Sequence, residues 1–221
     1  MITKKTRQKN LKRDYIEATY DILCESGMEG FTIRSVAERV GCSSAALYKH
    51  FTDANHLLSL ASVRYLRRYS EDTAHISQTE SDYLKMNLLL WERFVYYSFE
   101  NLPIFENLFF GKNTAKIQEI VLEYYAEFPE ELAQLSGYFS LIMQSSNLRE
   151  RDFIMLKQAA DEGRITLESA DYLSKTDVYI FRGMLAAYRD CWDQPGMVQK
   201  ATKEYMDLIR HYYQLHTIEN V

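Results

Sequence analysis

The sequence contains few of the residues that interrupt helices or cross-link chains. Its 221 residues include only 8 Gly, 3 Pro and 3 Cys. This scarcity excludes collagen-like and turn-dense all-β folds, because both need Gly or Pro at close intervals. The cysteines, Cys24, Cys42 and Cys191, are odd in number and widely spaced. They therefore exclude a disulfide framework and predict a reducing compartment.

Long apolar segments are also missing. The most apolar stretch, residues 86–99, contains Glu92 and Arg93, whereas a membrane span needs about 18 residues that are almost all apolar. The basic N-terminus has no apolar segment behind it, so we expect no secretory signal. With 47% hydrophobic and 26% charged residues, the composition is typical of a soluble globular protein. These features predict a cytoplasmic protein without a membrane partner.

Charge is distributed unevenly along the chain. Residues 1–68 carry 12 Lys and Arg against 7 Asp and Glu, a balance of +5, whereas residues 69–221 carry 14 against 24, a balance of −10. A basic head on an acidic body favours a polyanionic partner for the head alone. Ordinary variation of surface charge is the alternative explanation.

The apolar pattern predicts an all-α protein, because spacings of i, i+3, i+4 and i+7 recur throughout the chain. We expect a first helix that ends near Gly27, two short helices on either side of Gly41, and a long helix from Ala54 to His75. Further helices are predicted over residues 80–101, 103–111, 113–127, 130–145, 148–162, 167–192 and 196–216.

The two short helices around Gly41 are the most informative feature. Thr32 and Ser43 are suitable N-caps for them, and a tight turn with Gly between two helices is typical of a helix-turn-helix. An inward core would consist of Ile33, Val36, Ala37, Val40 and Leu47. The residues left facing outward are then Arg34, Ser44, Ala45, Ala46, Tyr48 and Lys49. Any small helical domain can contain such a turn, so periodicity alone leaves both interpretations open.

The segment from Phe31 to Phe51 closely resembles the signature of TetR-family transcriptional regulators. The matching residues are Gly27, Phe31, Thr32, Val36, Ala37, Gly41, Ser43, Leu47, Tyr48, His50 and Phe51. The resemblance covers about residues 7–60. Two departures lie in this region: Ala45 replaces a common Gly, and Ala54 stands where the family usually has a Lys that binds DNA phosphate.

The resemblance implies a three-helix DNA-binding head (residues 1–53) joined by a long helix to a ligand-binding and dimerisation body (residues 54–221). It implies a homodimer on double-stranded operator DNA, acting as a repressor that a small-molecule effector releases. The residues that it places at DNA are Thr32, Arg34, Ser43, Ser44, Ala45, Ala46, Tyr48, Lys49 and His50. The alternative is a helical interaction module that keeps the fold but does not bind DNA.

Enzymatic motifs are absent from the sequence. It contains no GxGxxG, Walker or HExxH pattern, and its five histidines show no spacing suited to metal ligands. We therefore expect no catalytic residue, no metal site and no cofactor.

Two helices near the C-terminus show apolar residues at alternating steps of three and four, which is typical of a coiled-coil seam. Two such helices from each of two chains would form a four-helix bundle at a dimer interface. The seam residues are Val178, Phe181, Leu185, Tyr188, Val198, Ala201, Tyr205, Leu208, Tyr212 and Leu215. Packing of both seams on the chain's own body is the alternative.

Eight aromatic residues lie between Trp91 and Phe110. One helix cannot bury all of them on a single stripe, so this segment either lines a cavity or lies inside the core. We expect an apolar or aromatic, uncharged ligand there, because ligand pockets are mostly apolar with a few polar anchors. The expected lining is Asn87, Trp91, Arg93, Phe94, Tyr97, Phe105, Phe109 and Tyr124.

Overall fold

The computed structural model describes residues 4–132 and 147–218, with side chains from residue 11 onward in those ranges. This part of the chain contains helices and no strand, as the apolar periodicity predicts. In chain order the helices are α1 (Lys4–Gly30), α2 (Ile33–Val40), α3 (Ser44–Leu47), α4 (Ala54–Val63), α5 (Arg67–Thr79), α6 (Tyr83–Glu100), α7 (Leu102–Phe110), α8 (Ile117–Glu127), α9 (Pro129–Leu132), α10 (Leu148–Asp161), α11 (Leu167–Tyr188) and α12 (Met197–His216).

The long helix predicted over residues 54–75 is interrupted in the structure. A 3₁₀ turn over Arg64–Leu66 separates α4 from α5, and α5 then continues to Thr79. Every residue from Leu57 to Val63 is buried. The burial extends around α4 because this helix packs against α1 of the head and against α7 and α8 of the body.

Some predicted helix boundaries differ from the structure. Residues 114–116 form a 3₁₀ turn before α8, and α11 ends at Tyr188 rather than 192. Most of the helix predicted over residues 130–145 lies outside the described residues. Within the part of the chain that the structure covers, every helix is too short or too polar to cross a membrane.

Helices α6, α10, α11 and α12 pack together in the body, and a buried polar cluster lies between them. Asp152 Oδ1 accepts hydrogen bonds from Asn87 Nδ2 (2.8 Å) and Trp91 Nε1 (2.7 Å). The Tyr213 hydroxyl donates to Asp177 Oδ2 (2.7 Å) and accepts from Asn87 Nδ2. This polar cluster thus joins the four helices through buried hydrogen bonds.

The two aspartates of the polar cluster, Asp152 and Asp177, are both buried and interact electrostatically. One oxygen of each, Asp152 Oδ2 and Asp177 Oδ1, is buried and accepts no hydrogen bond in the described part of the chain. Two buried carboxyl groups in one cluster favour retention of a proton, since two like charges in a buried site cannot both ionise at low cost. Burial raises the pKa of Asp152 to about 6, and burial together with the Asp152 charge raises the pKa of Asp177 well above its ordinary value.

A raised carboxyl pKa in the folded state means that stability is lost as the pH rises. We therefore expect Asp177→Asn to stabilise the protein relative to the wild type more at pH 8 than at pH 5, by at least about 1 kcal/mol. The Asn amide can donate to Asp152 without titrating. Chemical denaturation at both pH values measures the difference.

Asp171→Asn is the matched control on α11. The pKa of Asp171 is lowered by hydrogen bonds from Lys175 and Arg149, so its stabilising effect is lost only as the pH falls through the acidic range. It should change little between pH 5 and 8. Equal pH dependence in Asp177→Asn and the wild type would show that the aspartates share no proton.

Candidate DNA-binding surface

A capping box defines the start of α2. The Thr32 hydroxyl accepts from the Ser35 backbone N–H (2.9 Å), and the Ser35 hydroxyl accepts from the Thr32 backbone N–H (3.0 Å). These reciprocal bonds satisfy two donors that a helix start otherwise leaves unpaired. The hydroxyl of Thr32 thus has a structural role at the edge of the surface.

Gly41 ends α2 in the left-handed conformation, with φ of +72°, which glycine adopts at little cost. Ser43 then caps α3 and accepts from the Ala46 backbone N–H. Between the caps, the Cys42 backbone N–H donates to the Ala37 carbonyl (2.9 Å). The turn thereby sets the direction of α3 relative to α2.

The inward side of the helix-turn-helix is apolar, as the spacing predicts. Val36, Ala37 and Leu47 are buried, and Tyr15 of α1 and Phe51 are buried beside them. The Tyr15 and Phe51 rings meet edge to face at 6.0 Å. This core holds α2 and α3 on α1.

The outward side presents most of the residues that were predicted to contact DNA. Tyr48, at the end of α3, is 54% exposed. Ala46 and His50 are half-buried. The remaining predicted residues, all exposed, are Thr32, Arg34, Ser43, Ser44, Ala45 and Lys49.

Arg34 already has an ionic partner on this surface. Its Nε lies 2.8 Å from Glu38 Oε1, one helical turn along α2, and the Arg34 side chain is 86% exposed. An ion pair so exposed to water contributes little stability. A nucleic acid can therefore take the guanidinium from Glu38 at little cost.

His50 differs from its exposed neighbours. Burial, with the positive charges of Lys12 and Lys49, lowers the pKa of its imidazole. It is therefore neutral at pH 7 and offers a hydrogen bond rather than a charge.

Ala54, which departs from the family signature, is the first residue of α4. Asp53 caps this helix, because its Oδ1 accepts a hydrogen bond from the His56 backbone N–H (2.7 Å).

Ion pairs join the head to α8 of the body. Lys12 Nζ lies 2.8 Å from Glu123 Oε1 and 3.4 Å from Glu127 Oε1. His56 Nε2 lies 3.0 Å from Glu123 Oε2. Burial alone would raise the pKa of Glu123, but the hydrogen bonds from Lys12 and His56 lower it overall. Glu123 therefore remains an anion between the two.

The residues predicted for the dimer seam separate into two groups. Five of the ten are buried within the chain's own helices: Phe181, Leu185, Tyr188, Ala201 and Tyr205. Val178, Val198 and Tyr212 are half-buried. Only Leu208 and Leu215 are exposed, at 42% and 67%. Because the buried side chains already pack on this chain's core, they cannot contact a partner without unfolding it.

The residues predicted to line a ligand site also lie in different places. Trp91, Phe94, Phe105 and Phe109 form one buried cluster, with neighbouring ring centroids 5.1–6.0 Å apart. We call these four residues the aromatic cluster. Asn87 belongs to the polar cluster beside it.

The other three predicted ligand residues point elsewhere. Arg93 is exposed and lies 3.6 Å from Asp72. Tyr97 donates to the same carboxylate (2.7 Å). Tyr124 stacks on Phe128 and donates to Glu131 Oε2 (2.8 Å).

Sequence reasoning missed the two buried aspartates. Asp177 stands in the apolar stripe of α11 between Leu173 and Phe181, and Asp152 stands in the stripe of α10. A carboxylate at the i+4 position of an apolar stripe is the signal that would have identified them. No cluster of three or more His, Cys, Asp or Glu suited to a metal occurs in the described ranges.

Comparison with known proteins agrees with this geometry. Residues 16–59 match the family model of the bacterial regulatory proteins of the tetR family, and this range contains α2, α3 and the start of α4. No curated protein matches the chain at a significant level.

Solved structures share the fold along almost the whole chain. A protein of unknown function from Rhodococcus sp. RHA1 is 18% identical, with a TM-score of 0.60 over 94% of this chain and 96% of that one. RolR in complex with resorcinol is 13% identical, with a TM-score of 0.57 over 96% and 95%. PfmR, a TetR-family transcriptional regulator from Thermus thermophilus, is 19% identical, with a TM-score of 0.50 over 88% and 96%.

The motif, the exposed helix-turn-helix surface and the shared fold agree with one another. Residues 16–59 match the bacterial regulatory proteins of the tetR family, and the chain as a whole shares the fold of solved structures that include a TetR-family transcriptional regulator.

Proposed function

We propose that the protein is a cytoplasmic repressor that binds its operator as a homodimer and leaves it when a small apolar or aromatic ligand binds the body. The observation that carries this proposal is the exposed surface of α2 and α3 within the family match at residues 16–59. A helix-turn-helix without DNA binding is not favoured, because its outward side keeps hydroxyl, amine and guanidinium donors that suit phosphates and base edges.

The residues of this surface differ in their proposed roles. We expect Tyr48 and His50 to contact phosphate, which positions the head without reading sequence, and Lys49 to face base edges. Arg34 is the candidate for base readout, since a guanidinium can bond guanine O6 and N7 together. The exposed methyl group of Ala45 suits an apolar contact with thymine.

We expect Arg34→Ala to weaken operator binding about tenfold and to relax preference at one base pair, since a good base contact discriminates by about 1–3 kcal/mol. Glu38→Gln should instead strengthen binding severalfold, because it removes the anion that holds Arg34. Fluorescence anisotropy on an operator selected from random duplexes, and on its scrambled version, measures both effects.

Tyr48→Phe provides the comparison for this experiment. Loss of a phosphate contact should weaken binding to matched and scrambled duplexes by the same factor. If Arg34→Ala behaved in that way too, Arg34 would contact phosphate rather than a base. Unchanged operator affinity in all three variants would show that this surface does not contact DNA.

The proposed dimer uses the outer faces of α11 and α12. Tyr179 is 70% exposed on α11, and Gly183 and Ala186 continue its face with small exposed residues. Leu208 and Leu215 continue the exposed apolar surface on α12. Small residues let two helices approach closely, and a two-fold axis would place two heads one DNA turn, about 34–36 Å, or a multiple of it, apart.

We expect Tyr179→Asp to weaken dimerisation by at least about tenfold, because it would bury a charge in place of a large aromatic side chain. Leu122→Asp is the matched control: Leu122 is 59% exposed on α8, away from α11 and α12. Sedimentation equilibrium measures both variants. A wild-type monomer at micromolar concentration would contradict the proposed dimer.

The proposed effector site lies at the aromatic cluster and the adjoining polar cluster. RolR, which shares the fold, was solved with resorcinol, and a small aromatic ligand suits aromatic walls with a few polar anchors. Asn87 and Asp152 can supply those anchors. To release DNA, the ligand must bind the DNA-incompetent state more tightly, since equal affinity for both states shifts nothing.

We expect uncharged aromatic compounds, tested first with resorcinol, to raise the melting temperature and to lower operator affinity. Trp192→Phe leaves Trp91 as the only tryptophan, so its fluorescence reports directly on the aromatic cluster. Glycerol, which has hydroxyl groups but no aromatic ring, serves as the control compound. Compounds that stabilise the protein without changing operator affinity would show that this region is only a packed core.

A further inference from the structure

A cavity of about 490 Å³ lies where the head meets the body. We call it the hinge cavity. Its walls include Tyr20 of α1, Arg64 of the 3₁₀ turn, Arg67 and Arg68 at the start of α5, and Tyr97 and Glu100 at the end of α6. It shares no lining residue with the aromatic cluster, and its volume is within the range of small-molecule sites.

Two guanidinium groups of the hinge cavity are held in place by aromatic rings. Arg64 lies over Tyr20 at 4.8 Å from the ring centroid, and Arg68 lies over Tyr97 at 4.7 Å. Such stacking fixes the plane of each guanidinium. Two cations at the i and i+4 positions are thus oriented before any ligand arrives.

The existing ion pairs leave donors on both groups. Arg64 Nη2 lies 3.3 Å from Glu131 Oε1, and Arg68 Nη1 lies 2.7 Å from Glu100 Oε2. Each contact occupies one terminal nitrogen, whereas a guanidinium has five N–H donors. An anion can therefore bind both groups without displacing either carboxylate.

The lining combines charged groups with flat rings. It contains three arginines and two carboxylates, Asp21 and Glu100, and the carboxylates that pair with Arg64 and Arg67, which are Glu131 and Glu71, lie outside it. The tyrosine rings supply flat apolar walls beside the guanidinium groups.

We propose that the hinge cavity binds a small organic anion that combines an aromatic ring with a carboxylate or phosphate group. The anionic group bridges Arg64 and Arg68, and the ring lies against the tyrosine walls. This site is separate from the effector site proposed inside the body, and its ligand class is the opposite one, charged rather than neutral.

A ligand in the hinge cavity contacts three elements that meet where the DNA-binding head joins the body. It contacts α1, the 3₁₀ turn and the end of α6 together, and a 3₁₀ segment within a long helix often marks a hinge. The anion therefore holds the head at one angle to the body and changes operator affinity. This consequence, unlike binding itself, rests on the proposed function.

Isothermal titration of the full-length protein with phenyl phosphate and benzoate, in the absence of DNA, tests the site. Either anion should bind saturably, whereas neutral benzamide and ring-free inorganic phosphate should each bind at least about tenfold more weakly, since a hydrogen bond to a charged group is worth about 1.5–3 kcal/mol. Whichever of the two anions binds more tightly identifies the anionic group.

Variants then locate the binding. Arg64→Gln and Arg68→Gln should each weaken it about tenfold, and Arg64→Lys, which keeps the charge but loses the planar fork, should give an intermediate affinity. Arg149→Gln is the control, because Arg149 forms an exposed ion pair with Asp171 and does not line the cavity. Melting curves verify that each variant is folded.

Several outcomes would overturn the proposal: no saturable binding of either anion, equal binding of inorganic phosphate, benzamide binding that the cavity variants weaken as much as anion binding, or equal losses in Arg149→Gln and the cavity variants. Operator affinity is measured separately with and without the tighter anion. A protein that binds the anion but no DNA would refute the proposed function and leave the anion site standing.

Discussion

Head and body share one continuous core, and α4 is the element that makes this so. Most of the buried apolar residues between Tyr15 of α1 and Tyr213 of α12 belong to one apolar cluster. Seven consecutive residues of α4, from Leu57 to Val63, are buried because α1 covers one side and α7 and α8 cover the other. The orientation of the DNA-binding surface is therefore tied to packing in the body, since close-packed interiors transmit displacement.

Two sets of contacts lie around that shared helix. On one side, Lys12 and His56 pair with Glu123 of α8. On another, the 3₁₀ turn after α4 carries Arg64, which pairs with Glu131 of α9 and stacks on Tyr20. A ligand that shifts α8, or one that occupies the hinge cavity, would thus act on the same head through different contacts.

The buried aspartates give the body a different character from the apolar pocket that the sequence predicts. Asp152 and Asp177 place two carboxyl groups that need hydrogen-bond donors at the centre of four helices. Asn87, Trp91 and Tyr213 supply those donors to one oxygen of each carboxyl group. Each of these hydrogen bonds joins different helices, so together they favour one arrangement of the four helices. The ring-on-ring packing of Trp91 and Phe94 beside it means that an effector must displace existing contacts to enter.

Residues near one another in sequence were the most predictable part of the site. The caps at Thr32 and Ser43, the glycine at 41 and the inward side chains of Val36 and Leu47 follow from hydrogen bonds and spacings within a few residues. The same local pattern predicted the exposure of Arg34 and Tyr48. It could not predict that Glu38 holds Arg34, because side-chain pairing depends on rotamers as well as spacing.

The body shows the opposite case. Its seams at Phe181 and Tyr205 were compatible with a partner chain or with this chain's own core, since periodicity reports that a face is apolar and not what covers it. Only the tertiary structure decided that this core buries both, whereas Tyr179, Leu208 and Leu215 are among the apolar residues that it leaves exposed.

The sequence by itself determined the helical class, the helix-turn-helix and the family resemblance, because each depends on interactions within about one turn of helix. Tertiary structure alone decided the pairing of Asp152 with Asp177, the break in the long helix at Arg64–Leu66 and the meeting of Tyr20 with Arg64. The first and third of these features join residues that are 25 or more positions apart, and the second depends on packing on both sides of a helix. No local sequence pattern encodes which helix faces will meet.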